Sequence, residues 1–107
     1  MQHRVLITQG AEDDIVELWF YLAADKSIPD ADYVVRKIKE TIESLAEIPT
    51  RGQIPPELDR ISVSDYLQVH FKPYRVIYQI RDQTAYVYCV LDGRRDVQAL
   101  LRQRLLR

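Results

Sequence analysis

The segment "VLDGRRDV", residues 90–97, sets Arg94 and Arg95 directly after what reads as the end of a β-strand. Adjacent arginines are costly to bury and easy to leave in water, so such a pair is either idle surface charge or a grip for an anion. Two strands bring further polar side chains to the same neighbourhood. In "VSDYLQVHF", residues 63–71, Tyr66, Gln68 and His70 alternate with Leu67, Val69 and Phe71. In "YRVIYQIR", residues 74–81, Arg75, Ile77, Gln79 and Arg81 alternate with Tyr74, Val76, Tyr78 and Ile80. The polar face of this pair should carry Tyr66, Gln68, His70, Arg75 and, from the next strand end, Arg95. Arginines suit phosphate through bidentate hydrogen bonds, and an imidazole beside them could move a proton in phosphodiester cleavage. Anion recognition is one reading, with His70, Arg75 and Arg95 as a nuclease set. A solvated sheet face, with an aromatic ring against an arginine stem, is the other.

Other chemistries find little to work with. The two histidines stand far apart, at positions 3 and 70, and Glu12, Asp13 and Asp14 fall at a helix start where capping explains them, so no metal is expected. The three glycines are isolated and make no phosphate loop, no serine or cysteine sits in a nucleophile context, and no cofactor is expected. Cys89 is the only cysteine and lies inside "YVYCVL", which excludes an intrachain disulfide, reads as a small buried hydrophobe and suits a reducing cytoplasm.

The elements that must position these side chains can be read from spacing. "HRVLIT", residues 3–8, is a short strand, and Thr8 can cap the helix that follows. Ile15, Leu18, Trp19 and Leu22 form one helical face, which carries helix one to about Ala24. Pro29 restarts the chain, and Val34, Ile38, Ile42 and Leu45 repeat at helical spacing with charges of alternating sign outside, giving a second, antiparallel helix. Residues 49–60, "PTRGQIPPELDR", hold three of the five prolines and predict an irregular connector. "AYVYCVL", residues 85–91, is apolar throughout and predicts a central strand covered on both sides. The short gaps at Lys72-Pro73 and at residues 82–84 make a meander of hairpins, with His70 opposite Arg75 and Phe71 opposite Tyr74 if the first loop is even in length. A last helix places Val97, Leu100, Leu101 and Leu105 on one face and Arg102, Arg104 and Arg107 elsewhere, with Asp96 as its cap. The result is a single α+β domain over residues 1–107: an N-terminal strand, an antiparallel helix hairpin, a three-stranded antiparallel meander completing one sheet, and a short C-terminal helix.

The chain's 107 residues are 47% hydrophobic and 29% charged, no apolar run approaches bilayer length, and "MQHRVLITQG" lacks the form of a signal peptide. A net charge of −1 conceals an asymmetry. Residues 1–59 carry 6 Lys/Arg against 12 Asp/Glu, whereas residues 60–107 carry 9 against 4. An acidic helical layer and a basic sheet and tail fit an anionic partner on the second half.

This order of elements, with "YRVIYQI", then a strand ending "YVYCVLDGRRD" and an amphipathic terminal helix, resembles the RelE/ParE family of type II toxin–antitoxin toxins over nearly the whole chain. In the family's ribosome-dependent, RNA-cleaving branch two lysines precede the "YR" motif, one arginine lies in it, another follows the last strand, and a tyrosine comes shortly beyond. Arg75 and Arg95 match the two arginines. The lysine positions hold Tyr66 and Gln68, and the tyrosine position holds Leu101. Losing two cations and an acid/base candidate removes most of what RNA cleavage needs. The resemblance therefore implies the ParE branch: a cytoplasmic toxin, held in a hetero-oligomer by a cognate antitoxin, that inhibits DNA gyrase. Arg75, Arg94, Arg95, Tyr66 and Gln68 are the candidate target- or anion-binding residues, and Val97, Leu100, Leu101 and Leu105, with apolar parts of the helix hairpin, the candidate antitoxin surface. The alternatives are a RelE-like endoribonuclease using His70, Arg75 and Arg95, and a detoxified module that only binds antitoxin.

Overall fold

The computed structural model describes residues 3–106. Arg107, assigned above to the last helix, lies outside them, as do Met1 and Gln2. Strand β1 (Arg4–Ile7) runs directly into helix α1 (Gln9–Asp25). Thr8 makes that corner: its Oγ1 accepts the Ala11 N–H at 3.3 Å and donates to the Val87 carbonyl at 2.8 Å, so one hydroxyl both caps the helix and ties it to the sheet. Ser27 caps helix α2 (Ile28–Glu43) in the same way, with Pro29 in the first turn.

The connector departs from the irregular chain that its prolines suggest. It forms a 3₁₀ turn at Pro49–Arg51 and a one-turn helix α3 (Pro56–Asp59), while Leu45, expected on the second helix, lies in a 3₁₀ turn at Ser44–Ala46 just beyond it. A proline at the first helical position removes only an N–H that has no partner there, so prolines 49 and 56 start turns where they read as breaks. Tyr78 anchors this stretch to the sheet. Its hydroxyl donates to the Pro49 carbonyl at 2.6 Å and accepts the Gly52 N–H at 3.1 Å, and a Cβ on Gly52 would stand 2.5 Å from that oxygen. Tyr78→Phe would strand a buried acceptor and its donor, and is expected to cost about 2 kcal/mol, read as a lower urea midpoint at unchanged slope.

Strands β2 (Leu67–Phe71), β3 (Tyr74–Arg81) and β4 (Thr84–Asp92) form the meander, and helix α4 (Val97–Leu105) closes the fold. The sheet order is β1-β4-β3-β2, with β1 parallel to β4 and the other pairs antiparallel. Across the Lys72–Pro73 turn His70 faces Arg75 and Phe71 faces Tyr74, the register expected from an even loop. Tyr88 is an extra residue in β4, since Ile77 pairs with Cys89 and Tyr78 with Val87.

Two cores sandwich the sheet. The helix hairpin packs Ala11, Ile15, Ile38 and Ile42 on Val69, Val76, Tyr78, Ala85 and Val87. On the opposite face α3 and α4 pack Leu58, Val97 and Leu101 on Ile77, Cys89 and Leu91. This is why β4 is apolar on both sides. Burial pushes the Cys89 thiol up to about 11, which leaves it a packing group. No helix among the described residues is long and apolar enough to cross a membrane.

Candidate functional site

The polar face of the β2–β3 hairpin holds a closed ion pair. Arg75 donates from Nη1 and Nη2 to Glu57 Oε2 and Oε1 at 2.9 and 2.8 Å, and from Nε to Gln68 Oε1 at 2.7 Å. Side-chain exposure is only 14% for Arg75 and 17% for Glu57, so water competes little for either. The Arg75 guanidinium holds the Glu57 carboxyl below its ordinary value, against the upward push of burial. Gln98 of α4 adds a 3.3 Å bond to the Glu57 carbonyl. The anion for which Arg75 seemed to wait is thus the chain's own, carried over the sheet by α3. Glu57 escaped the sequence reading because the connector looked irregular; the signal was the acid behind paired prolines in "PPELD".

The remaining expected members separate. His70 stands exposed at the end of β2. Tyr66 packs edge-to-face on Tyr88, with ring centroids 5.9 Å apart, and burial raises its hydroxyl's pKa; it belongs to the second core. Arg94 is clamped by Asp92 through Nε at 3.0 Å and Nη2 at 2.8 Å while remaining 67% exposed. It lines a shallow cleft with His70, Lys72 and Arg75.

Arg95 corrects an expectation. It does not turn toward Arg75; it lines a second, larger cleft of about 780 Å³ between α1 and α4. Gly93 causes this split: its N–H bonds the Pro73 carbonyl at 2.8 Å and a Cβ there would lie 2.7 Å from the same oxygen, so the turn is pressed onto the β2–β3 loop. Asp92 then holds Arg94 on the near side, and its neighbour points away.

The larger cleft contains an ion pair that links the ends of the described chain. Asp14 accepts from Arg104 Nη1 and Nη2 at 2.9 and 3.0 Å and from the Val90 N–H at 2.9 Å, while Arg104 also donates to the Tyr88 carbonyl at 3.1 Å. Asp14 therefore binds α4 and β4; read as one of three acids at a helix start, it lies beyond the first turn of α1, where the acid is Glu12. The α4 face expected to meet an antitoxin is largely spent inside the fold. Val97 and Leu101 are 4% and 1% exposed in the second core, and Leu100 and Leu105 pack partly against it. Exposed apolar surface lies instead on the helix hairpin, at Val16, Phe20, Tyr21 and Ile28. Among the described residues no three His, Cys, Asp or Glu side chains converge as metal ligands would.

Comparison with known proteins places this geometry. Residues 5–97 match the family model of the ParE toxin of the type II toxin–antitoxin system parDE. No curated protein matches the chain significantly. Among solved structures, a chain of the chromosomal ParDE system of Pseudomonas aeruginosa superposes with a TM-score of 0.70 at 13% identity, over 83% of this chain and 94% of that one. A chain of the RelBE2 toxin–antitoxin complex of Mycobacterium tuberculosis gives 0.64 at 19% identity, over 86% and 92%. A free mutant of the Escherichia coli toxin RelE gives 0.66 at 13% identity, over 99% and 97%.

Proposed function

Because the chain belongs to the ParE toxin family of type II toxin–antitoxin systems, we propose that a cognate antitoxin holds it inactive in a cytoplasmic hetero-oligomer and that, once free, it inhibits DNA gyrase. The observation that carries the choice of target is the Arg75–Glu57 pair. A nuclease must present cations to a phosphate whose charge grows in the transition state. Here the one arginine inside the "YR" motif is already neutralised, bidentate, by a carboxylate with little access to water. Leu101, at the position where the RNA-cleaving branch carries a tyrosine, is 1% exposed and fills the second core. Gln68, at a lysine position, serves to orient Arg75.

One observation favours the endoribonuclease reading: His70 faces Arg75 across the hairpin and shares a cleft with Lys72 and Arg94. That site would use Arg94 in place of Arg95. The readings part at His70→Ala. Under the gyrase reading growth arrest persists, messenger RNA stays intact and purified gyrase stops supercoiling in the presence of either protein. Under the nuclease reading His70→Ala loses roughly 10²–10⁴-fold in cleavage rate. A module that only binds antitoxin would leave both supercoiling and cell-free translation untouched.

A further inference from the structure

The helices leave part of the sheet bare. On the face opposite the hairpin, α3 and α4 pack over Ile77, Cys89 and Leu91, toward the end of β4 that leads into Arg94 and Arg95. At its other end the same face carries two rows of side chains that belong to neither core. Arg4, Thr84 and Arg81 stand abreast on β1, β4 and β3, and Leu6, Tyr86 and Gln79 form the next row. Their chain neighbours Val5, Ile80 and Ala85 turn into the hairpin core, which fixes these six on the open side.

Arg4 and Arg81 are exposed and two strand spacings apart, about 10 Å at the backbone, with Thr84 between them. Neither makes an ion pair among the described residues, and Asp82, next in the chain, does not close on Arg81. Arg81 is nonetheless held in place. Its Nε donates to Gln79 Oε1 at 2.9 Å, which leaves both terminal nitrogens without a hydrogen bond among the described residues. The same oxygen accepts the Tyr88 hydroxyl at 3.4 Å. In the second row Leu6 is 45% exposed and Tyr86 half-buried beside it.

Two cations abreast with no acid between them repel each other, and an anion that spans them removes that cost. A guanidinium fixed through Nε, with both terminal nitrogens open, suits a pair of phosphate oxygens. One row further on, an aromatic ring beside an apolar side chain offers a surface on which any base can stack. We infer that this bare end of the sheet binds single-stranded nucleic acid. Arg4 and Arg81 take backbone phosphates, and a base stacks on Tyr86 beside Leu6. The surface shares no residue with either cleft and does not depend on which target the toxin attacks.

The test titrates the purified whole chain into a fluorescently labelled oligothymidylate of about 15 nucleotides and reads anisotropy between about 50 and 200 mM salt. With two phosphates held, the logarithm of affinity should fall with that of salt at a slope of about −1.4, roughly 0.7 for each phosphate. Arg4→Glu and Arg81→Glu should each weaken binding about tenfold at the lower salt and flatten the slope by about 0.7. Tyr86→Leu should weaken it about fivefold with the slope unchanged, because stacking releases no counterions. Arg36→Glu, exposed on α2 beyond the hairpin core, makes the same change in net charge and should alter affinity less than about twofold. The three arginines are exposed, so these variants read the site even if Tyr86→Leu folds poorly. Full affinity in either Arg4→Glu or Arg81→Glu, or an equal loss in Arg36→Glu, overturns the site. So does a parent chain that leaves the oligonucleotide unbound at the lower salt; if the same two variants then lose affinity for the antitoxin, the face belongs to an acidic protein segment instead.

Discussion

Replacing Asp14 with alanine should lower the stability of the free protein by about 3 kcal/mol, the largest loss expected from any exposed-looking acid in the chain. The carboxylate serves three groups at once: both terminal nitrogens of Arg104 and the amide of Val90. Side-chain exposures of 15% for Asp14 and 27% for Arg104 mean that water replaces these bonds poorly. Alanine leaves a cation against the sheet and an amide without an acceptor, and the damage falls on both covalently distant elements that Asp14 joins. An asparagine in its place cannot neutralise Arg104 but keeps an acceptor for Val90, so Asp14→Asn should cost distinctly less, about 1–1.5 kcal/mol. Chemical denaturation of the three proteins checks both values. Equal losses for alanine and asparagine would mean that the charge alone matters and the bond to the strand edge does not.

Arg75→Ala is expected to cost about 3 kcal/mol at neutral pH and less in acid. In the native protein Arg75 holds the Glu57 carboxyl below its ordinary value of 4.5. A carboxyl with a depressed folded pKa contributes stability that is fully present above the unfolded value and is lost as pH falls through the folded one. The parent should accordingly lose stability on acidification below about pH 4.5. Without Arg75, Glu57 is a part-buried charge left with only the weaker pull of Arg60, and its protonation becomes a relief. The gap between parent and variant should therefore narrow as pH falls. Urea titrations at pH 7 and pH 4 measure this, and the Arg75→Met, Glu57→Gln double variant should recover part of the loss at pH 7 because neither side then carries an unmatched charge. A gap that stays constant with pH would mean that packing of the arginine stem, and not the ion pair, holds α3 to the sheet.

The contrast between these two pairs and the rest of the fold explains what could be read from the chain. Alternation in residues 67–81 was visible because strand period is local, and with a two-residue turn it carries the facing of His70 and Arg75 directly. The unbroken apolar run in β4 announced a strand covered twice, and the two cores confirm it. Thr8 and Asp96 cap α1 and α4 from the positions that their types suggested. Glu57 and Asp14 were invisible for the converse reason: each finds its arginine across 18 and 90 residues, and no local pattern distinguishes such an acid from one that sits in water. The division of Arg94 from Arg95 depended on the close approach of Gly93 to the β2–β3 loop and on Asp92, whose side chain holds Arg94 on the hairpin side.

The parallel pairing of Arg4 with Thr84 carries a consequence for synthesis. The meander of β2, β3 and β4 closes through short local loops and can assemble early, but β1 finds its place only after residues 84–87 have left the ribosome. Until then α1, fused to β1 at Thr8, lacks the Val87 carbonyl that anchors it, and Asp14 waits for an arginine near the far end of the described chain. The sheet and the seat of α1 are therefore completed only once residues 84–104 are available.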